Sequence, residues 1–143
     1  MLPSDRRSHR QVFLAAWHKA HSGQPLTALD QQILAILHQH PDYQLLLAHA
    51  ETALAQDFTP ESGQENPFLH MGLHLAIREQ ISLDQPHGIR AQYQKVLRRQ
   101  RDPHRAEHQL MDCLAAALWT LQRYERPFNE ADYFACIQQQ LQQ

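Results

Sequence analysis

Asn66-Pro67-Phe68-Leu69-His70-Met71-Gly72-Leu73-His74-Leu75-Ala76-Ile77-Arg78-Glu79-Gln80-Ile81-Ser82-Leu83 is the stretch that decides the fold. Asn66 offers an N-cap oxygen, and Pro67 suits the first helical position, where a missing N–H leaves no bond unmade. The apolar residues that follow recur at intervals of three and four, not at every second position, which is the period of a helix. His70 and His74 share a stripe with Leu73, Ile77 and Ile81, while Phe68, Leu75 and Leu83 occupy the far side. A helix apolar nearly all round belongs in the middle of a bundle. Its histidines go inside with it, and buried polar groups need partners.

The same period extends in both directions. A first helix is predicted over roughly 5–21, with Val12, Phe13, Ala16 and Trp17 on one stripe, ended by Gly23-Gln24-Pro25. Thr27 with Asp30 opens a second helix that buries Ile33, Leu34, Ile36 and Leu37. His40-Pro41 interrupts it, and a third helix is expected through Leu45, Leu46, Leu47 and Leu54. Residues 57–65 form the longest loop signal. After Asp84-Gln85-Pro86-His87-Gly88 comes a basic helix over about 89–100. Asp102-Pro103 then repeats the cap-proline device and starts a helix to about Arg123, followed by a short one with Tyr133, Phe134 and Ile137. Strand-like alternation is absent. The prediction is an all-α, single-domain bundle of about six helices spanning 1–143.

Composition narrows the class. The 143 residues carry a net charge of −2 with His neutral, so nothing in the balance calls for nucleic acid or membrane. Partial protonation of eleven His near pH 6 carries the chain to the positive side. The first seven residues hold no apolar core of signal-peptide length, and no stretch is long and apolar enough to span a bilayer. Cys113 and Cys136 stand alone, which favours reduced thiols acting as small buried hydrophobes in a cytoplasmic setting.

Two histidine pairs carry the functional reading: His70 with His74, and His104 with His108, the latter enclosing Glu107. Residues four apart lie one turn from each other on one helix face, so each pair can aim two imidazoles at one point. Helical bundles build metal sites in this way. Leu110, Met111, Leu114, Leu118 and Leu121 form the apolar stripe of the second helix, and Glu107 falls near its centre. A carboxylate on a core-facing stripe is costly unless paired or bound to a cation. Both pairs also lie near helix N-termini, where the dipole favours the neutral, metal-binding imidazole. The predicted ligands are therefore His70, His74, His104 and His108, with Glu107 as ligand or as hydrogen-bond acceptor behind one of them. His40, at the Gln39-His40-Pro41 junction, is an additional candidate. Zinc, iron or nickel suits imidazole ligands. If one coordination position stays open, metal-activated water chemistry is available, but no residue pattern names a reaction.

Chance alone yields about one four-residue His pair in a chain this rich in histidine. A hydrogen-bonded histidine network in a non-enzymatic adaptor is accordingly the plain alternative. His104-x-x-Glu107-His108 matches the inverted zinc-protease signature, but that fold needs a far larger chain and a downstream carboxylate ligand. Di-iron carboxylate bundles need Glu-x-x-His motifs, which both helices lack. A Gly-x-Ser-x-Gly elbow and phosphate-binding glycine loops are missing too.

Arg90, Lys95, Arg98, Arg99, Arg101 and Arg105 crowd the segment 90–105 around one acid, Asp102. Arg98, Arg99 and Arg101 are the candidate anion-binding residues for RNA or a phosphorylated ligand. A solvated helix face is the commoner use of such a run, and nucleic acid is disfavoured. No partner is identified, and a homo-oligomer is compatible with the composition.

The stretch quoted above, NPFLHMGLHLAIREQ, resembles an uncharacterised bacterial family, a small domain of unknown function of about this length. The resemblance continues through Trp17 with Gly23-Gln24-Pro25-Leu26-Thr27, His40-Pro41 with Tyr43, and Gln85-Pro86 with Gly88-Ile89-Arg90. Asp102, His104, His108, Met111, Cys113-Leu114, Trp119 and Gln122-Arg123 complete it. It implies no established reaction. The family pattern holds counterparts of His40, His70, His74, His104 and His108, with Glu107 less regular.

Overall fold

A computed structural model describes residues 6–58 and 66–143. Residues 59–65 of the expected 57–65 loop lie outside the described residues, as do the first five. The order is α1 (Arg6–His21), α2 (Ala28–His38), α3 (Pro41–Leu47), α4 (Ala50–Ala55), α5 (Pro67–Leu83), α6 (Ile89–Gln100), α7 (Pro103–Tyr124) and α8 (Glu130–Leu141). The described residues are all-α, as the periodicity predicted, with eight helices where about six were expected. Among them no helix is long and apolar enough to cross a membrane. Their contacts fall into two compact units, Met1–Gly72 and Leu73–Gln143, divided within α5.

In the N-terminal unit, Phe13, Ala16, Ile33, Ile36, Leu37, Tyr43, Leu47, Phe68 and Met71 are buried. The third expected helix is broken into α3 and α4 at His49, whose backbone leaves the helical region (φ −118°, ψ 75°). What holds short α4 is a residue far away in sequence. Arg10, 3% exposed, donates from Nη1 to the carbonyls of Ala53 (2.9 Å) and Gln56 (2.7 Å), and its guanidinium lies 4.9 Å from the Phe68 ring centre. The cation thus satisfies the orphan carbonyls of a helix end while resting on an aromatic face. Helical periodicity, a local signal, cannot register a capping group from another helix.

α2 begins as predicted. The Thr27 side chain accepts from the N–H of Asp30, and Asp30 Oδ2 accepts from the N–H of Thr27 (2.9 Å) and from Lys19 Nζ (3.0 Å). The Thr27 amide, with Lys19 adding to it against the opposing effect of burial, holds the Asp30 carboxyl below the usual aspartate range. A carboxyl depressed in the folded state stabilises fully above its unfolded pKa, about 3.9, and loses that contribution as pH falls through the folded value. Urea unfolding of Asp30→Asn should therefore show a loss of about 1 kcal/mol that is constant from pH 6 to 8. The difference from wild type should shrink once the pH drops below about 4.

In the C-terminal unit, Ile77, Ile89, Val96, Ala106, Leu110, Met111, Tyr133 and Ile137 form the core. Tyr133 donates to Gln80 Oε1 (2.7 Å), which satisfies its buried hydroxyl, and burial pushes that hydroxyl's pKa up. Leu83, expected on the far side of a central helix, is exposed at the end of α5.

The cysteines depart from expectation. Cys113 of α7 and Cys136 of α8 are joined as a disulfide, not held as free thiols. Two apolar helices linked by a short connection bring these positions together, whereas their separation of 23 residues matches no motif spacing. Closing a loop of that length stabilises by about 3 kcal/mol through the unfolded chain. Reduction should lower Tm by about 10 °C in wild type and leave a Cys113→Ala/Cys136→Ala variant unchanged. Two thiols reactive in denatured, air-purified protein would show that the bond is not formed.

Candidate metal centre

The caps that set the histidine register are built as the sequence indicates. Asn66 Oδ1 accepts from the N–H of Phe68 (3.0 Å) and Leu69 (3.3 Å). Asp102 accepts from the N–H of His104 (3.4 Å), and Pro103 follows it. With their starts fixed, α5 and α7 present His74 on one side and His104, Glu107 and His108 on the other.

These four residues meet in the C-terminal unit. His74, His104 and His108 each offer a ring nitrogen, and these nitrogens lie within 4.8 Å of one another. The His104 and His108 ring centres are 4.1 Å apart, and that of His74 lies 5.1 Å from His104 and 4.8 Å from His108. His74 is fully buried; His104 and His108 are partly so.

Glu107 fixes the chemistry of His74. Its Oε1 accepts from His74 Nδ1 (2.8 Å) and from Arg78 Nε (2.8 Å). Burial pushes the Glu107 carboxyl up, but the bonds from His74 and Arg78 outweigh it and hold the group below its ordinary range. An ionised carboxylate only accepts, so the proton of that bond sits on His74 Nδ1. In a neutral ring the lone pair is then at Nε2, which lies 3.0 Å from His108 Nε2. That separation suits a hydrogen bond. It also lies near the spacing of about 3.3 Å that two imidazoles take on one tetrahedral metal with bonds of about 2.0–2.1 Å.

The remaining predicted ligands meet in the N-terminal unit. His40 Nδ1 bonds the Ile36 carbonyl (2.9 Å), and its Nε2 lies 3.2 Å from His70 Nε2. His40 also stacks on Tyr43, with ring centres 4.9 Å apart at 3°. A carbonyl on Nδ1 fixes this ring as Glu107 fixes His74, with a neutral ring's lone pair at Nε2.

Sequence reasoning did not single out Arg78. It lies one turn beyond His74, and that spacing was the available signal. The basic segment is used differently from its charge reading. Arg99 donates to the carbonyls of Gln140 and Leu141 at the end of α8. Arg90 donates to those of Ile81 (3.0 Å) and Ser82 (2.9 Å) near the end of α5. Both guanidiniums cap helix C-termini, which is a structural use of cationic charge. Arg98 and Arg101 are exposed.

A small all-α domain with a histidine trio braced by a buried carboxylate is thus the class that fold and site define. The chain belongs to the family described as Domain of unknown function (DUF1841), which it matches over residues 5–139. No curated protein and no solved structure shows significant similarity to it.

Glu107→Ala removes the carboxylate oxygen that His74 Nδ1 and Arg78 Nε share and opens a cavity beside them. In the presence of a chelator, chemical denaturation of this variant should show a loss of about 3 kcal/mol. Glu107→Gln, which keeps an accepting oxygen, should lose less.

Proposed function

We propose that the C-terminal unit binds a divalent transition metal through His74, His104 and His108. Glu107 serves as the acceptor that orients His74, not as a ligand. The observation carrying this reading is the Glu107–His74 bond at 2.8 Å, which leaves Nε2 of a fully buried ring 3.0 Å from His108 Nε2, with the His104 ring stacked alongside at 5.1 Å between centres. Carboxylate–histidine–metal arrangements use this geometry to fix the ligating tautomer and raise its basicity. Three nitrogen ligands suit zinc, iron or nickel, and a fourth position filled by water or a small ligand completes a site of the open kind.

The alternative, a histidine network in an adaptor, uses the same hydrogen bonds but takes up no metal. RNA binding by segment 90–105 is weakened by the capping duties of Arg90 and Arg99. The cytoplasmic setting drew on unpaired cysteines, and the disulfide removes that support.

Elemental analysis of untagged protein should find about one transition metal per chain, as expected of a single site of this type. His104→Ala and His108→Ala, at partly exposed positions, should fold and lose that metal. Glu107→Gln should weaken zinc affinity by about 10–100-fold, as removing an orienting acceptor does. Metal-free protein that takes up no zinc, cobalt or nickel under calorimetry would establish the network reading instead.

A further inference from the structure

The disulfide that joins α7 to α8 lies at a cavity, and a bond serving only as a staple needs no recess beside it. Cys113 and Cys136 both line this recess of about 460 Å³ in the C-terminal unit. Ala116, Ala117, Leu121 and Phe128 give it apolar walls, so the bond is reached through a pocket and not from a flat surface. Its volume is that of a small-molecule site. The connection between α7 and α8, which forms one wall, is fixed by the fold. Asn129 Oδ1 accepts from the N–H of Asp132 (3.1 Å), and the Phe128 ring meets the buried Tyr133 ring with centres 5.6 Å apart.

The two sulfurs are not equivalent. Cys113 is 1% exposed and belongs to the core of the unit, whereas Cys136 is partly exposed. Thiol–disulfide exchange proceeds by attack of a thiolate on the sulfur it can reach, and the other sulfur leaves. Access from the recess therefore selects Cys136 Sγ as the attacked atom. A bond forms between it and the entering sulfur, the bond to Cys113 breaks, and Cys113 Sγ leaves with the electron pair and takes up a proton. One thiol is consumed and one appears, so the entering thiol is the only co-reactant.

We infer that Cys136 is a site of reversible S-thiolation: a low-molecular-weight thiol enters the recess, joins Cys136 and opens the link between α7 and α8 while the domain stays folded. The helices hold the two cysteines with Cα atoms 5.7 Å apart. Cys113 thus stays beside the mixed disulfide, and its return attack on Cys136 Sγ releases the small thiol and closes the link again. The inference is independent of the metal reading.

The test uses the full-length oxidised chain with reduced glutathione as the entering thiol, quenched with acid at early times and mapped by mass spectrometry. The expected product carries one glutathione per chain, on Cys136. Its rate of formation should be flat across low urea concentrations and rise only near the unfolding midpoint, because the folded state is the one attacked. Ala116→Phe puts a ring into the recess from an exposed position. It should slow exchange in the folded protein by about tenfold, through lost access, and leave the rate in unfolded protein unchanged. Adducts shared equally between Cys113 and Cys136, a rate that climbs from the lowest urea upward, or a folded Ala116→Phe variant that reacts as fast as wild type overturns the inference. Air-purified protein with two free thiols overturns it as well. Should Ala116→Phe fail to fold, adduct position and urea dependence in the wild type decide the matter.

Discussion

A buried carboxylate is the constraint on which the C-terminal unit turns. Glu107 is on the apolar stripe of α7, where an uncompensated charge would be costly. Its two partners, His74 and Arg78, come from α5 one turn apart, so satisfying the charge locks α5 and α7 in register. The same bond decides which nitrogen of His74 faces its neighbours. Fold specificity and the orientation of the His74 ring therefore rest on one interaction here. Replacing Glu107 with an apolar residue would remove the penalty and the tautomer control together.

Much of this was legible in the sequence because the relevant signals are local. Helical period, the Asn66-Pro67 and Asp102-Pro103 starts, and the Thr27/Asp30 box all lie within a few residues of what they determine. So does the inward position of Glu107. What stayed illegible depends on residues that meet only after packing. The hold of Arg10 on the end of α4, the pairing of Cys113 with Cys136, and the partnership of His40 with His70 each cross between segments far apart in the chain. His70 Nε2 lies 3.2 Å from that of His40, and His74 Nε2 lies 3.0 Å from that of His108, and neither meeting is marked in the four-residue spacing of the chain.

The arginines teach a related lesson about charge. Segment 90–105 reads as a basic run, yet Arg90 and Arg99 are spent on helix carbonyls. A guanidinium that caps a helix end contributes to the fold before it contributes to any field outside it.

The central claim is that Glu107 sets the proton on Nδ1 of His74 and so turns its other nitrogen into a metal ligand. Nitrogen-15 NMR of the histidine rings, followed as zinc is added to metal-free protein, addresses it directly. The account predicts that His74 carries its proton on Nδ1 throughout. It also predicts that Nε2 of His74 and one nitrogen each of His104 and His108 move together and saturate at one zinc per chain. A His74 protonated on Nε2, or zinc-induced shifts confined to exposed rings such as His21, His38 and His87, would contradict it.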